Sequence, residues 1–154
     1  MIQNNPVIEE TTALRSGRRG LKLGKIVLAV AVVIVLMLVV IQYLNAAKYA
    51  ALVQVTEEDT IGVNPTGDAL DFGDLPHNKS AVRTVTLESA GDTPSYIIVW
   101  KFGDVSDLIK VDKNYFTLAP HTTEKVEFSL YVPNSAAYRY YRGRVIIFQI
   151  PKLW

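Results

Sequence analysis

The residues best suited to binding chemistry lie together near the C-terminus, where tyrosine rings alternate with guanidinium groups. Guanidinium groups form paired hydrogen bonds with carboxylates and phosphates, and tyrosine rings combine an apolar face with a polar end. We therefore expect a loop at one end of the folded domain that recognises a carboxylate, a phosphate or a sugar. In the alternative, some tyrosines pack at the edge of the core, Gly143 makes a turn, and the arginines are solvated or face lipid headgroups. The candidate binding residues are Tyr138, Arg139, Tyr140, Tyr141, Arg142 and Arg144.

Residues that serve catalysis or metal binding are few and far apart. Asp68, Asp71 and Asp74 recur at a spacing of three, whereas calcium loops use alternate positions and an acidic closing residue, so we interpret them as turn and capping residues. His77 and His121 each follow a proline, and no nucleophile is spaced to form a triad with them. Cysteine is absent, which excludes thiolate chemistry. The sequence predicts no catalytic residue, no metal site and no cofactor.

The triplet Asn78, Lys79 and Ser80 matches the acceptor sequence for N-linked glycosylation. We expect it on an exposed loop outside the membrane, where such a modification is chemically possible. Asn78 is therefore a candidate glycosylation site, although triplets of this kind also arise by chance.

An uncharged apolar run near the N-terminus predicts how the rest of the chain is held. From Ile26 to Leu44 it reads IVLAVAVVIVLMLVVIQYL. As a helix, at about 1.5 Å per residue, this run covers roughly 28 Å, which matches the hydrocarbon thickness of a bilayer. A backbone inside hydrocarbon must satisfy its own hydrogen bonds, so we predict a helix despite the many β-branched residues. Ile26 and Leu44 mark a membrane anchor within residues 25–46.

The charges on the two sides of this run predict its orientation. Five basic residues precede it, against Glu9 and Glu10, whereas Lys48 is alone just beyond it. Such a bias keeps the N-terminus in the cytoplasm, so we predict a single-pass cell-membrane protein with a cytoplasmic tail over residues 1–24 and an extracytoplasmic domain over residues 47–154. The residues that set this topology are Arg15, Arg18, Arg19, Lys22 and Lys25.

An apolar run of this kind also occurs in signal peptides, in pilin-like leaders and in buried core helices. A cleaved signal peptide normally has an apolar region of about 7 to 15 residues and a small-residue cleavage site, and the sequence matches neither well. Arg19 and Gly20 suggest a pilin-like leader, but Lys22, Gly24 and Lys25 interrupt that pattern. A buried core helix needs more enclosing protein than 154 residues supply. The sequence favours an anchor.

Beyond Ala51 the pattern changes to short segments separated by Gly, Pro, Asn and Asp, which is typical of strands and turns. Apolar and polar residues alternate over residues 126–132, as in a half-buried antiparallel strand. Residues 96–102 are apolar enough for a central strand. The predicted strands cover residues 52–55, 70–72, 81–88, 96–102, 108–111, 116–118, 126–132 and 144–150.

About seven short strands over roughly 100 residues predict an all-β fold, an immunoglobulin-like β-sandwich preceded by one transmembrane helix. The domain has no disulfide to rely on, so its stability has to come from apolar burial. We expect Trp100, Phe116 and Phe128 to be the core aromatic residues.

Five motifs occur in order along this domain: LDFGDL from residue 70, VTLESAGDTP from 85, FTLAP from 116, VEFSL from 126 and YRGRVII from 141. Over most of residues 65–150 they resemble the Hydin-type, major-sperm-protein-like immunoglobulin domains, in which a "dFG" strand, a hairpin and an "f-x-l-x-P" corner follow one another. Ser89 stands where that family often has Asn, and the membrane anchor is a departure. The resemblance implies the fold and a binding or scaffold role, and it names no partner.

These observations predict a non-enzymatic, membrane-anchored interaction or scaffold module of an envelope or membrane complex. Its expected partners are the lipid bilayer and another envelope or membrane protein; acids outnumber bases beyond the anchor, which does not favour nucleic acid. The sequence leaves the oligomeric state open. One alternative is an accessory or stator-like subunit of a surface machine, similar in architecture to the archaellum stator proteins. Another is a filament or pilin-like subunit, which predicts processing near Gly20.

Overall fold

A long helix and a set of short strands make up the chain. The structure is a computed structural model that describes residues 7–57 and 69–152, and of residues 7–23 the backbone alone. The chain divides into two compact units, Met1–Ile41 and Gln42–Trp154. The elements are α1 (Val7–Asn45), β1 (Ala47–Val55), β2 (Leu70–Leu75), β3 (Ser80–Glu88), β4 (Ser95–Gly103), a 3₁₀ helix (Asp104–Asp107), β5 (Ile109–Val111), β6 (Phe116–Leu118), β7 (Thr123–Tyr131) and β8 (Tyr140–Pro151).

The helix α1 begins well before the predicted anchor. Its apolar part, Gly24–Asn45, is long and apolar enough to cross a membrane, and it is the one helix of this kind among the described residues. Membrane anchors and signal sequences share these properties. The apolar side chains of this part are exposed, and exposure of so much apolar surface to water is unfavourable. Of the five topology residues, Lys25 is described, and the side chains of Arg15, Arg18, Arg19 and Lys22 lie outside the described residues.

A single residue, Ala46, connects α1 to β1. Ala46 is buried, and its N–H donates to the carbonyl oxygen of Gln42 at 3.0 Å. The Nζ of Lys48 donates to the carbonyl oxygens of Leu44 and Ala46, at 3.3 and 3.2 Å. The bonds to Gln42 and Leu44 satisfy acceptors that the last turn of a helix leaves without intrahelical partners. The chain therefore passes from helix to strand without a linker.

The described strands form two sheets. The order is β2-β1-β8-β4-β6 in the five-stranded sheet and β3-β7-β5 in the three-stranded sheet. Neighbouring strands are antiparallel except β1 and β2, which are parallel with a register shift between Leu52 and Gln54. The predicted all-β domain behind an N-terminal apolar helix is confirmed. The eight strands of the described residues each overlap one of the eight predicted ranges, and β1 and β8 begin earlier than predicted, at Ala47 and Tyr140.

Both sheets contribute side chains to one buried cluster. Phe72 and Ile97 belong to the five-stranded sheet, whereas Phe128 and Leu130 belong to the three-stranded sheet. Burial alternates along β7 as expected for a strand with one buried face. Of the predicted core aromatic residues, Phe128 is fully buried and Phe116 is half-buried.

Trp100 is not a core residue, so that prediction is wrong. Ile97 and Val99 of β4 are buried, and Trp100, which follows Val99, faces the opposite side of the sheet and is 49% exposed. Successive side chains of a strand point to opposite faces, so the register decides burial and the size of the side chain does not. Trp100 lies opposite Ile146 of β8, and its ring packs edge-on against Phe148 with 5.1 Å between centroids.

Candidate functional site

The predicted binding segment is a strand over most of its length. Tyr138 and Arg139 precede β8, but residues 140–144 lie within it, so the predictions of a loop and of a turn at Gly143 are wrong. The reason is pairing on both sides: β8 is hydrogen-bonded to β1 and to β4, and Gly143 lies opposite Gly103. Strand alternation consequently divides the candidate residues between two faces of the sheet.

Tyr141 points to the inner face and serves the fold. Its ring is buried, and its hydroxyl accepts a hydrogen bond from the N–H of Ala137 at 2.9 Å. The guanidinium of Arg139 lies 4.5 Å from the centroid of this ring and is 3.1 Å from the carboxylate of Asp104. Hydrogen bonding with Tyr141, and then the charge of Asp104, raise the pKa of Arg139. Arg139 is therefore a charged group whose partners already lie within the domain.

Tyr138 contacts His77, a residue for which the sequence predicted no role. The rings of Tyr138 and His77 stack with 4.5 Å between centroids, and the Tyr138 hydroxyl is 3.3 Å from Nδ1 of His77. The Nε2 of His77 donates to the carbonyl oxygen of Ala136 at 2.8 Å. Both ring nitrogens of His77 thus have partners, so this pair supports the connection that leads into β8.

Asn78, the candidate glycosylation site, is exposed and tightly held. It adopts a left-handed backbone conformation with φ of 59°, which Asn tolerates better than most residues. Its Nδ2 donates to Oδ1 of Asn134 at 2.7 Å, and its Oδ1 accepts a hydrogen bond from the hydroxyl of Tyr131 at 3.1 Å. Glycosylation replaces one of the two Nδ2 hydrogens, which leaves the other for the bond to Asn134.

The other acidic and histidine residues have local roles. The Oδ1 of Asp71 accepts a hydrogen bond from the N–H of Gly73 at 2.9 Å, and Asp68 lies outside the described residues. The Nε2 of His121 is 2.9 Å from the carboxylate of Asp92. Across residues 24–57 and 69–152, no three histidine, cysteine or acidic side chains come together in a way that could hold a metal ion.

Tyr140, Arg142 and Arg144 share the outer face of β8, and we call them the basic half of that face. The guanidinium carbon of Arg142 lies 4.7 Å from the centroid of the Tyr140 ring, an arrangement in which the ring face attracts the cation. In the described part of the chain, neither Arg142 nor Arg144 forms an ion pair. These two guanidinium groups are therefore available to an external ligand, unlike that of Arg139.

An open groove of about 510 Å³ lies beside the two arginines. Gly103 and Gly143 lie opposite each other in its floor, where β4 and β8 approach closely. A Cβ on Gly143 would lie 2.2 Å from the carbonyl oxygen of Phe102, and Gly103 has a φ of 89°, so both positions require glycine. Aromatic rings and guanidinium groups make the walls, which are formed by Tyr43, Phe102, Arg142 and Arg144.

Apolar side chains continue the outer face along β4 and β8. Trp100 lies opposite Ile146, Ile98 opposite Phe148, and Tyr96 opposite Ile150. Ile146 is buried although it lies outside the central cluster, because its neighbours on the outer face cover it. We call these residues the aromatic half: Tyr96, Ile98, Trp100, Ile146, Phe148 and Ile150.

Sequence reasoning missed the aromatic half, although a signal was present. Residues 96–100 are apolar at every position, which predicts a strand covered on both faces. The core covers Ile97 and Val99 on the inner face. Within the described residues, Tyr96 and Trp100 stay exposed on the outer face.

No protein-family model, curated protein or solved structure matches this chain. The function is therefore inferred from the geometry of the outer face. Arg142 and Arg144 have no ion-pair partner among the described residues, and their guanidinium groups can bind a carboxylate or a phosphate through paired hydrogen bonds.

Proposed function

We propose that this chain is a non-enzymatic, membrane-anchored interaction module of an envelope or membrane complex. In this proposal α1 crosses the cell membrane with its N-terminus in the cytoplasm, and the two-sheet domain lies outside and binds an acidic segment of another membrane or envelope protein. The observation that carries the proposal is that Arg142 and Arg144 point outward beside the ring of Phe102 and have no ion-pair partner within the described part of the chain.

The anchoring part of the proposal is supported by the exposed apolar helix and by the charge bias around it. Gly24–Asn45 offers 22 residues with a mean hydropathy of 3.1, which suits the roughly 20 apolar residues that a transmembrane helix needs. Basic residues before this segment favour a cytoplasmic N-terminus. Alkaline carbonate extraction of native membranes and the intact mass of the extracted chain test this part. Release by carbonate or loss of the N-terminal residues would contradict it, and a cut near Gly20 would favour a filament subunit.

The fold part of the proposal is an immunoglobulin-like sandwich of the Hydin and major-sperm-protein type. Two sheets with a shared core support it. The hydroxyl of Tyr141, which accepts a bond from the backbone of Ala137 four residues upstream, resembles the tyrosine corner of immunoglobulin-type domains. Domains of this class present binding surfaces on a stable scaffold, which suits a chain without recognisable catalytic groups.

The binding part of the proposal follows from the chemistry of the basic half. Arginine and tyrosine are enriched among the residues that contribute most to protein interfaces. Arg142 stacks on Tyr140, which holds the guanidinium in place before a ligand arrives. A carboxylate that binds Arg142 and Arg144 would gain paired, charge-assisted hydrogen bonds without having to break an existing ion pair.

Crosslinking in native membranes, followed by mass spectrometry, tests the binding part. The double variant Arg142→Ala, Arg144→Ala removes the two available guanidinium groups. The matched control is Lys110→Ala, Lys125→Ala, which removes two exposed positive charges from the three-stranded sheet. We expect a defined partner in the wild type and in the control, and its loss in the arginine variant. Retention of the partner by the arginine variant, or crosslinks between copies of this chain alone, would contradict the assignment.

A further inference from the structure

The aromatic half of the outer face has a composition that differs from the rest of the surface. It contains Tyr96, Trp100 and Phe148 with aliphatic neighbours, and none of its six residues is charged. Trp100 is 49% exposed and Tyr96 is 37% exposed. Contiguous exposed aromatic surface on a small domain marks a contact with another molecule or with a membrane.

The position of the aromatic half along the strands favours contact with a membrane over contact with another molecule. Ala47, the first residue of β1, lies opposite Ile147 of β8, so Phe148 and Ile150 lie level with or beyond the point where the chain enters the sheet. Ala47 follows Asn45 by two residues, a distance of at most about 7 Å. The headgroup layer of one leaflet is roughly 5–7 Å deep. A helix that leaves the hydrocarbon at Asn45 therefore brings this end of the sheet to the level of the headgroups.

The charges around the aromatic half also suit a bilayer. Lys48 lies opposite Ile146, with its Nζ 4.7 Å from the centroid of the Tyr43 ring, and Arg144 lies two residues before Ile146 in β8. Tryptophan and tyrosine are enriched at the membrane interface, and basic side chains near it are attracted by anionic lipids. By register, the acidic residues of the outer face belong to the edge strand β2.

We propose that the aromatic half lies in the headgroup region of the bilayer, with Tyr96 and Ile150 nearest the acyl chains. This inference rests on the anchoring part of the proposed function and goes beyond it, because it assigns one surface of the domain to lipid. The basic half lies farther along β8, where Tyr43 of the helix end shares a groove with Arg142 and Arg144. The lipid surface and the protein-binding surface are then two ends of a single sheet face.

The chain carries its own probe for this contact. Trp100 and Trp154 are its two tryptophans, so Trp154→Phe leaves Trp100 as the sole reporter. The full-length variant is placed in nanodiscs that contain phosphatidylcholine and phosphatidylglycerol, with and without lipids brominated near the carbonyl end of the acyl chain. The matched control carries Trp100→Phe, Trp154→Phe and Tyr131→Trp, because Tyr131 is similarly exposed, at 49%, on the three-stranded sheet.

We expect brominated lipid to quench Trp100 and aqueous iodide to quench it several-fold less than it quenches the tryptophan introduced at residue 131. Accessibility of Trp100 to iodide without quenching by brominated lipid would overturn the inference. Protection of Trp100 from both quenchers would also overturn it, because a second copy or another protein would then cover the face. Equal quenching of both reporters by brominated lipid would show that the contact is not specific to this face. Release of the chain from native membranes is a separate failure, that of the anchoring part of the proposed function.

Discussion

The two faces of the five-stranded sheet differ in what their residues do, and the difference is clearest along β8. On the inner face, Val145 and Ile147 are almost fully buried, and Tyr141 holds the backbone of the preceding connection. On the outer face, Arg142 and Arg144 are exposed and have no ion-pair partner among the described residues. Neighbours in sequence thus belong either to the core or to the exposed face of the sheet, and strand alternation separates them.

The largest effect on stability is expected from the core that the inner face shares with the three-stranded sheet. Phe128→Ala should lower the free energy of unfolding by about 3–5 kcal/mol, because the ring is fully buried and its removal leaves a cavity. Trp100→Ala on the outer face should lower it by no more than about 1 kcal/mol. Denaturant titration of the full chain in detergent micelles, followed by far-ultraviolet circular dichroism, measures both values. Equal losses of stability would mean that the outer face is packed like the core, and would contradict the difference between the two faces.

A smaller effect on stability is expected at Gly143, where the backbones of β4 and β8 approach closely. Gly143→Ala should destabilise the domain by about 1–3 kcal/mol, because the new Cβ would collide with the backbone of Phe102 and β4 would have to shift. The matched control is Gly91→Ala, since a Cβ on Gly91 meets no atom within 4 Å. The same titration compares the two variants. A neutral Gly143→Ala would show that β4 and β8 are not held at the observed distance.

Tyr140 and Tyr141 are adjacent in β8 but lie on opposite faces of the sheet, so they compare the two faces directly. Tyr141→Phe removes the hydroxyl that accepts the bond from Ala137, and it should cost about 1 kcal/mol. Tyr140→Phe, one residue earlier on the outer face, should leave stability unchanged. Thermal unfolding of the two variants beside the wild type distinguishes them. An unchanged midpoint for Tyr141→Phe would remove the support that this bond gives to the immunoglobulin-like assignment.

The smallest effect is expected from an exposed ion pair away from both faces. A hydrogen bond with Glu124 raises the pKa of Lys113 above its ordinary value of 10.5. The charged form of Lys113 is favoured in the folded state, so its contribution is complete below the unfolded pKa and is lost as the pH rises through the folded pKa. The small difference in Tm between the wild type and Lys113→Met should be constant near neutral pH and should shrink above 10.5. A difference that disappears near neutral pH would contradict this assignment.

The sequence predicted those parts of the fold that depend on local pattern. Residues 116–118 were predicted as a strand and form β6 with the same limits, and the alternation over residues 126–132 marked most of β7. The apolar helix was also predictable, since a long uncharged run needs no partner to be recognised. The start of β8 was not predictable from composition, because pairing with β1 and β4 decides it.

The candidate site was predictable in its residue types and not in its arrangement. Arg142 and Arg144 were chosen for their chemistry, and the structure leaves both free of ion pairs within the described residues. The chemistry of Arg139 gives the same prediction. However, its guanidinium forms an ion pair with Asp104, the first residue of the 3₁₀ helix after β4. Trp100 was assigned to the core because large aromatic residues usually pack there, whereas the register of β4 turned it outward. Both errors concern partners that are distant in sequence.

The single residue between α1 and β1 has a further consequence for kinetics. Ala46 is buried, and its N–H donates to the carbonyl oxygen of Gln42, so one residue joins the end of α1 to β1. For a chain held in a membrane by α1, this short connection keeps the start of β1 within about 7 Å of the end of the helix. A partner would then be found by lateral diffusion in two dimensions rather than by a search through the surrounding volume. The time to meet a partner would be governed by the surface density of both proteins and by the viscosity of the lipid.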